Sequence, residues 1–356
     1  MSYLNKNHRI YPHFNNGRFY NHPNEKKPPF LLSPLSMLIE WYLCRDYQKD
    51  FDLSNWIDNT PPIKSSEKLA ITWIGHSTFL IQVGGFNILT DPIFGDLFPL
   101  FRRFIAPGIE IKNLPKIDFV IISHNHPDHM NAYALKYLKN YNNPNVKYLV
   151  PLKDKKWFDR RSFNSLNVYE CTWWQTLKFD NLSVNNDMLN EILSEIEFTF
   201  LPAFHWSQRG LFDYNKSLWG SWMIHFKDTN IYFAGDTAYS KHFECISKEF
   251  DQIDIALMPI GPCEPHDWMK ESHVDAEEAG QAFIDLKAKN FIPMHWGTYF
   301  FGIDNFHLPH DRLINWWRRQ DFTQNELLHI LKFGQRKYID SNSIIIDSYK
   351  EIGLTI

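Results

Sequence analysis

The chain has 356 residues, of which 44% are hydrophobic and 22% charged, a composition typical of a globular protein with one large domain or two ordinary ones. Its formal net charge of −4 provides no global basic field, so we expect no nucleic-acid partner. The four cysteines are widely scattered and form no CxxC pair, which argues against a disulfide framework and a thiolate zinc site.

The N-terminal residues 1–66 are rich in Asn, Pro and Tyr, and we interpret them as an extension of the main domain. They lack the apolar core of a signal peptide, and no run of about 18 apolar residues follows, so we expect a cytoplasmic protein. One apolar patch at 28–44 has helical spacing after Pro34. It either packs on the main domain or faces a membrane or a partner subunit, which leaves peripheral association with the inner membrane surface open.

Residues 67–356 form the second predicted domain, in which apolar segments follow one another as strands and helices. Apolar residues alternate around Gly84 and Gly85, which predicts a hairpin and then a third strand. Continuous apolar runs, typical of strands buried on both faces, lie at 117–123, 197–204, 221–226, 231–235, 253–260 and 290–296. Helical patterns lie at 130–140, 242–250 and 274–288. Strands with interleaved helices predict an α/β fold.

A His or Asp residue stands near the carboxyl end of four of these predicted strands: His124, His205, Asp236 and His295. In open α/β sheets the loops converge at that edge, and ligands bind there. We therefore expect these four side chains to meet in one crevice.

Three further candidates, His126, Asp128 and His129, complete the pattern HxHxDH with His124. Imidazole and carboxylate are the usual zinc ligands outside thiolate sites. On an extended stretch His124, His126 and Asp128 project to one side and His129 to the other, so one short loop can serve two adjacent metals. His124 and His126 would bind one metal, while Asp128 and His129 bind the second.

This motif and several longer blocks resemble a known family. HxHxDH is the signature of the metallo-β-lactamase superfamily. Blocks such as FAGDT at 233–237, HWGTYF at 295–300 and the long segments 71–94, 205–222 and 258–279 are similar to the N-acyl-phosphatidylethanolamine-hydrolysing phospholipase D family. The resemblance implies a metallo-β-lactamase αββα sandwich with two zinc ions between its sheets, although iron or manganese fits similar ligands.

The resemblance also implies which residues hold the metals. The implied ligands, one set for each ion followed by the bridging residue, are His124, His126 and His205, then Asp128, His129 and His295, and finally Asp236. His273 is implied as a pocket residue near the scissile phosphate. Asp128, Asp236 and His273 are thus the expected catalytic residues.

Three other residues near these motifs are candidate neighbours of the metals. Asp91, in the segment LTDP, either hydrogen-bonds a ligating histidine or ends a strand in a turn before Pro92. His76 either lines the pocket or is a packed polar residue of the core. Trp206 is expected on an apolar face beside the metals.

The loop at 94–108 combines apolar residues with arginines. The residues expected at a membrane interface are Phe98, Leu100, Phe101, Arg102, Arg103 and Phe104. Apolar insertion together with arginines that meet phosphate is typical of an interfacial loop. The same composition also fits a loop buried against the N-terminal extension.

The resemblance implies a zinc-dependent phosphodiesterase of phospholipase D type. It would cleave N-acyl-phosphatidylethanolamine-like phospholipids to phosphatidic acid and an N-acylethanolamine by a metal-bridging hydroxide, and it would be a homodimer. Two alternatives stay open: a dizinc phosphodiesterase or lactonase that acts on a soluble small molecule, and a non-catalytic zinc-bearing binding module. Turnover of a generic phosphodiester, lost on Asp128→Asn or Asp236→Asn, separates an enzyme from a binding module.

Overall fold

The computed structural model describes residues 8–22, 52–97, 101–181, 194–323 and 326–339. These residues form two seven-stranded sheets and a small hairpin, which pairs β1 (His13–Asn15) with β2 (Arg18–Tyr20). The hairpin belongs to the predicted N-terminal extension and packs on the main core. Phe19 is buried there, and its N–H donates to the carbonyl of Asn215 at 2.8 Å. The apolar patch predicted at 28–44 lies outside the described residues.

The first sheet takes most of its strands from the first half of the chain. In chain order these strands are β3 (Ala70–Gly75), β4 (Thr78–Val83), β5 (Phe86–Thr90), β6 (Phe119–Ile121), β7 (Lys147–Pro151) and β8 (Val168–Cys171). Neighbouring strands are antiparallel from β3 to β5 and parallel from β5 to β8. The glycine pair at 84–85 turns β4 into β5, as the sequence predicts.

The second sheet follows along the chain. Its strands are β9 (Gln175–Asn181), β10 (Ser194–Leu201), β11 (Ser221–Phe226), β12 (Thr229–Phe233), β13 (Ile253–Pro259), β14 (Ala288–Met294) and β15 (Leu327–Leu328). They are antiparallel from β9 to β12 and parallel from β12 to β15. The chain then returns to the first sheet, where β16 (Arg336–Tyr338) pairs with β3 at the edge opposite β8.

The two sheets face each other across a shared apolar core. The ring of Phe119 on β6 lies 4.9 Å from that of Phe198 on β10, measured between centroids. Side chains alternate between the two faces of each strand, so Leu80 on β4 and Leu89 on β5 point away from the second sheet into an outer apolar cluster. Because both faces of the first sheet are covered, β4 is buried at every position. This burial explains why the strands read as continuous apolar runs.

Helices cover both outer faces. They are α1 (Ala132–Tyr137), α2 (Lys155–Asp159), α3 (His242–Ser247), α4 (His266–Met269), α5 (Ala276–Leu286) and α6 (Leu308–Trp317). Leu135 of α1 and Phe158 of α2 pack in the outer cluster of the first sheet, whereas Phe283 of α5 packs on Phe291 of the second. The predicted αββα sandwich is confirmed. Within the described ranges, every helix is too short or too polar to cross a bilayer.

Candidate metal centre

The four strand-end side chains predicted from the sequence meet at one end of the sandwich. His124 and His205 follow β6 and β10, Asp236 follows β12, and His295 directly follows β14. Asp236 stands in the middle. Its Oδ1 lies 3.1 Å from Nε2 of His295, and its Oδ2 lies 3.9 Å from Nε2 of His124 and 3.9 Å from Nε2 of His205.

One half of the centre consists of three imidazoles, which we name the imidazole set: His124, His126 and His205. Nδ1 of His126 lies 2.7 Å from Nε2 of His124 and 3.2 Å from Nε2 of His205. Burial lowers the pKa of His126 to about 4 and that of His205 to about 3, and it lowers the pKa of His124 well below its ordinary value. All three rings are therefore neutral near pH 7, which is the form that binds a metal.

The other half, which we name the carboxylate set, consists of Asp128, His129 and His295. Nε2 of His129 lies 3.3 Å from Oδ2 of Asp128 and 3.2 Å from Oδ2 of Asp236. Burial lowers the pKa of His129, but these two carboxylates outweigh burial and hold it well above its ordinary value. Burial opposes ionisation of Asp128 and Asp236, yet His129 holds the pKa of both well below the ordinary range. Two ionised carboxylates in a buried site require positive charge beside them.

The donor atoms fit a pair of metal ions. Within each set the ligand atoms lie within 4.8 Å of one another. Nε2 of His129, Nε2 of His295 and Oδ1 of Asp236 are buried and make no hydrogen bond to any described residue. Buried polar atoms without such partners are uncommon, and convergent imidazole and carboxylate atoms suit zinc, iron or manganese. The cluster is therefore able to bind metal ions.

Asp91 orients one imidazole of each set. Its Oδ2 accepts from Nδ1 of His129 at 2.7 Å and from the hydroxyl of Ser123 at 2.5 Å. Because Ser123 gives its proton to Asp91, its oxygen accepts from Nδ1 of His124 at 2.9 Å. Nδ1 of each ring is thus held by a hydrogen bond, and Nε2 of each ring points at the centre. Asp91 also ends β5 in a turn with φ of 31°, so both interpretations of this residue describe it.

The remaining strand-end imidazoles are fixed by backbone carbonyls. Nδ1 of His205 donates to the carbonyl of Ser272 at 2.8 Å, and Nδ1 of His295 donates to that of Gly261 at 2.8 Å. These bonds again leave Nε2 for the centre.

His76 lines the carboxylate set. Its Nε2 donates to Oδ2 of Asp128 at 3.1 Å, and its ring centroid lies 4.1 Å from that of His295. Burial lowers the pKa of His76 to about 3, so the ring is neutral. The structure therefore favours the pocket interpretation of this residue over a packed position in the core.

His273 and Trp206 lie at the mouth of the centre. Nδ1 of His273 is 3.8 Å from Oδ2 of Asp236, and the side chain is 17% exposed. Its Nδ1 makes no hydrogen bond to any described residue, and burial lowers the pKa of the ring to about 3. Trp206 packs its indole edge-on against His126, with centroids 4.2 Å apart. Both residues therefore adjoin the imidazole set, as expected from the sequence.

The loop at 94–108 departs from its prediction. The guanidinium of Arg103 points inward and donates to the carbonyls of Ile105, Ile93 and Ile74 at 2.8, 3.1 and 3.2 Å. Phe104 packs on Phe300, with ring centroids 4.9 Å apart. The expectation that these two residues face lipid is corrected, because the guanidinium of Arg103 bonds three backbone carbonyls and Phe104 packs against the core.

The other residues of that loop divide between the mouth and the solvent. Phe101 stacks on Phe301 at 6.3 Å, and the ring of Phe301 lies 6.1 Å from His295, so both belong to the wall of the centre. Arg102 is exposed. Phe98 and Leu100 lie outside the described residues.

Arg209 is a functional candidate that sequence reasoning missed. Its Nη1 donates to the carbonyls of Asn125 and Met130, each at 2.7 Å, and so it joins the two ends of the HxHxDH loop. Arg209 follows His205 by four residues, so it also connects that loop to the next ligand segment. Burial lowers the pKa of Arg209 to about 10, and the side chain stays charged. A single arginine in the block HWSQRG at 205–210 was the only signal in the sequence.

Comparison with known proteins agrees with this geometry. The beta-lactamase superfamily domain matches residues 86–296. An N-acyl-phosphatidylethanolamine-hydrolyzing phospholipase D 1 from Caenorhabditis elegans is 34% identical over 72% of this chain and 74% of its own length. A mitochondrial N-acyl-phosphatidylethanolamine-hydrolyzing phospholipase D from Saccharomyces cerevisiae is 33% identical over 68% of this chain, which spans only 50% of that relative.

A solved structure shares the fold. Igni18, a metallo hydrolase from the archaeon Ignicoccus hospitalis, superposes with a TM-score of 0.56 over 77% of this chain and 99% of its own, at 19% identity. At that identity the likeness concerns the fold alone. Together with the sequence relatives, it shows that the chain belongs to the metallo-β-lactamase superfamily of hydrolases and, within it, to the N-acyl-phosphatidylethanolamine-hydrolysing phospholipase D family.

Proposed function

We propose that this protein is a two-metal phosphodiesterase of phospholipase D type. It would cleave an N-acyl-phosphatidylethanolamine-like phospholipid to phosphatidic acid and an N-acylethanolamine. The observation that carries the proposal is the position of Asp236, whose carboxylate stands between the imidazole set and the carboxylate set. The two relatives named for this reaction support the substrate class.

The ligand assignment follows from the donor atoms. The imidazole set would hold one ion through Nε2 of His124, Nδ1 of His126 and Nε2 of His205, and the carboxylate set would hold the other. Asp236 would contact both. Neutral imidazoles and carboxylates favour zinc, with iron or manganese as the alternatives. When bound, such ions supply Lewis acidity that lowers the pKa of a water and neutralises charge on phosphoryl oxygens.

The side chains around the centre supply orientation. Asp236 accepts hydrogen bonds from the attacking water and so aims it at phosphorus. His76 donates to Asp128 and keeps that carboxylate from rotating away from the centre. The neutral ring of His273 lies at the mouth, and its Nδ1 makes no hydrogen bond to any described residue, so the ring is placed to hydrogen-bond a phosphoryl oxygen or the leaving oxygen. The paired rings of Phe101 and Phe301 offer an apolar wall for the lipid portion of the substrate.

The test is product identification with matched carboxylate variants. Purified, metal-loaded protein is incubated with N-acyl-phosphatidylethanolamine in detergent micelles, and products are identified by mass spectrometry. Asp236→Asn should abolish product. Asp254→Asn is the control, because Asp254 is a buried carboxylate of the same sheet that bonds Asn230 and Lys289 instead of the centre.

The outcomes separate the hypotheses. Phosphatidic acid and an N-acylethanolamine, absent with Asp236→Asn and retained with Asp254→Asn, would support the proposal. Cleavage of bis-p-nitrophenyl phosphate without cleavage of the lipid would leave a phosphodiesterase for a soluble substrate. Two bound metals without turnover of either compound would favour a binding module. A homodimer and a cytoplasmic location stay predictions, which sedimentation and cell fractionation would check.

A further inference from the structure

Two large apolar side chains stand side by side in solvent on the loop that follows Trp206. Leu211 and Phe212 are each 81% exposed. The loop that carries them is held in place, because Oδ1 of Asp213 accepts the N–H groups of Arg209 and Gly210 at 3.1 and 2.8 Å. Single exposed apolar residues are common, but an adjacent pair at the tip of a braced loop indicates a surface that another molecule covers.

Positive charge is concentrated in one stretch of this acidic chain. Residues 130–168 contain eight lysines and arginines and two carboxylates, whereas the whole chain has a net charge of −4. One of the two carboxylates, Asp154, is buried, and the other, Asp159, is exposed. Lys156 in α2 and Arg160 directly after this helix are exposed one helical turn apart.

The apolar pair and the basic stretch belong to one surface. The guanidinium of Arg209, two residues before Leu211, lies 5.0 Å from the ring of Trp157 on α2. The guanidinium of Arg161 lies 4.1 Å from the same ring. Trp157 therefore joins the loop to α2. We name the exposed residues Leu211, Phe212, Lys156, Arg160 and Arg161 the docking face.

Two amphipathic side chains are exposed on the helical segment that follows the HxHxDH loop. Tyr133 and Tyr141, on α1 and the turn that continues it, are 61% and 76% exposed. Tyrosine with an apolar ring and a polar tip is enriched where protein meets the lipid headgroups. The helix α1 begins just after the HxHxDH loop, and Arg209 bonds the carbonyl of Met130 at 2.7 Å, so the start of α1 lies close to the loop that carries Leu211.

We propose that the docking face binds the surface of an anionic phospholipid bilayer and presents the candidate metal centre to the lipid headgroups. This inference deepens the proposed function and rests on it for the meaning of the contact. Apolar side chains would enter the headgroup region while the cations meet lipid phosphates. A nucleic acid would satisfy the cations but would leave Leu211 and Phe212 in water, so lipid is the better match.

The test measures binding of the full chain to vesicles of phosphatidylcholine, with and without phosphatidylglycerol, by co-sedimentation. The wild type should bind the anionic vesicles more tightly, and added salt should weaken binding. Leu211→Ser with Phe212→Ser, and separately Lys156→Glu with Arg160→Glu, should each weaken binding roughly tenfold or more.

Matched controls lie elsewhere on the molecule. Tyr338→Ser changes an exposed aromatic residue on β16, at the sheet edge opposite β8. Arg318→Glu with Arg319→Glu reverses two exposed cations at the end of α6, a helix that packs with α5 over the other sheet. Both controls should bind vesicles like the wild type.

Three results would contradict the proposal that the docking face binds anionic bilayers. They are no binding to anionic vesicles, equally tight binding to neutral vesicles, or an equal loss of vesicle binding in the control variants. Binding to a short DNA duplex but not to vesicles would also overturn it. Turnover of bis-p-nitrophenyl phosphate is measured alongside, and Leu211→Ser with Phe212→Ser should leave it unchanged. If the wild type binds vesicles but cleaves no phosphodiester, the proposed function fails while the docking face stands.

Discussion

The two halves of the candidate metal centre differ in the groups that they offer to a cation. In the imidazole set, burial keeps three rings neutral, and the carboxylate of Asp236 lies 3.9 Å from Nε2 of two of them. In the carboxylate set, His129 touches two carboxylates at 3.2 and 3.3 Å and is driven towards its protonated form. One half offers lone pairs, and the other offers negative charge.

Because of this difference, protons compete with metal more strongly in the carboxylate set than in the imidazole set. A proton must leave His129 before Nε2 can bind an ion, whereas each neutral ring of the imidazole set has one nitrogen without a proton near pH 7. The two halves should therefore differ in how they respond to lost ligands, to acid and to changes in the groups behind them.

The largest effect should come from Asp128→Asn, which removes negative charge from the carboxylate set while it preserves shape. We expect about one bound metal per chain instead of two, and phosphodiester turnover lowered roughly 10³-fold. Metal content is measured by plasma emission spectrometry, and turnover with bis-p-nitrophenyl phosphate. Asp159→Asn, an exposed carboxylate on α2, is the control. Two retained metals and wild-type turnover would contradict the assignment.

Acid should empty the carboxylate set before the imidazole set. The raised pKa of His129 means that protons displace metal from its Nε2 at a higher pH. The lowered pKa values of His126, about 4, and His205, about 3, keep the imidazole set ready for metal to lower pH. Dialysis at decreasing pH, followed by metal analysis, should show two steps of release. Asp128→Asn should lack the first step. A single step in the wild type would contradict the expectation that the carboxylate set loses its metal at a higher pH than the imidazole set.

Asp91 supports both halves of the centre, and substitutions of Asp91 and of Ser123 should affect the two metal affinities differently. Asp91→Asn weakens the bond to His129 directly and that to His124 through Ser123, so affinity for both metals should fall about 10- to 100-fold. Ser123→Ala removes the partner of His124 but leaves the bond between Asp91 and His129, so it should weaken mainly the metal of the imidazole set. Competition with a chromophoric chelator resolves the two affinities. Equal losses at both ions in Ser123→Ala would break this scheme.

Arg209 is a positioning residue whose loss should act mainly on the imidazole set. Arg209 bonds the carbonyl of Asn125, which lies between His124 and His126. It also follows His205 by four residues, so it connects all three members of the imidazole set. We expect Arg209→Met to lower affinity for the metal of that set roughly tenfold, with Arg209→Lys in between. A purely structural role would lower the melting temperature without changing the ratio of the two metal affinities. Arg161→Met, which removes the neighbouring arginine on the same tryptophan ring, is the control.

The sequence predicted which side chains meet at the candidate metal centre better than it predicted their surroundings. HxHxDH and the strand-end residues could be found because strand ends converge at one edge, and because ligand chemistry restricts residue types. Arg209 was missed because its partners are the backbone carbonyls of Asn125 and Met130. Every residue type has such a carbonyl, so the sequence does not mark these two positions. Only the folded loop shows that these two carbonyls point the same way.

The loop at 94–108 shows the reverse error. Its composition suggested a lipid-facing loop, yet Arg103 bonds three carbonyls and lies in the interior. Composition cannot say which side of a loop faces inward, because the apolar residues and arginines of a buried loop and an interfacial loop are alike. The strands β7, β8 and β9 and the helix α6 also escaped prediction, since their polar edges interrupt the apolar runs.

The smallest effect concerns the buried carboxylates behind the two halves. Asp91 has His129 as an ionic partner, whereas Asp154, behind the loop of the imidazole set, accepts from the amide of Asn125 at 3.0 Å. Burial raises the pKa of Asp154 to about 7, above its value in the unfolded chain. The stability that this group contributes is therefore present below about pH 4 and is lost as pH rises through about 7.

Asp154→Asn keeps an acceptor for Asn125 and never ionises. We expect the free energy of unfolding of the wild type to fall by roughly 2–4 kcal/mol more than that of Asp154→Asn between pH 5 and pH 8. Urea denaturation of metal-loaded protein at the two pH values measures this difference. Asp159→Asn, exposed on the same stretch, should show none. If the two proteins lost stability in parallel between pH 5 and pH 8, Asp154 would be ionised throughout. The nearby cation of Arg209 would then balance it as His129 balances Asp91, and the two halves would be alike in the charges behind them.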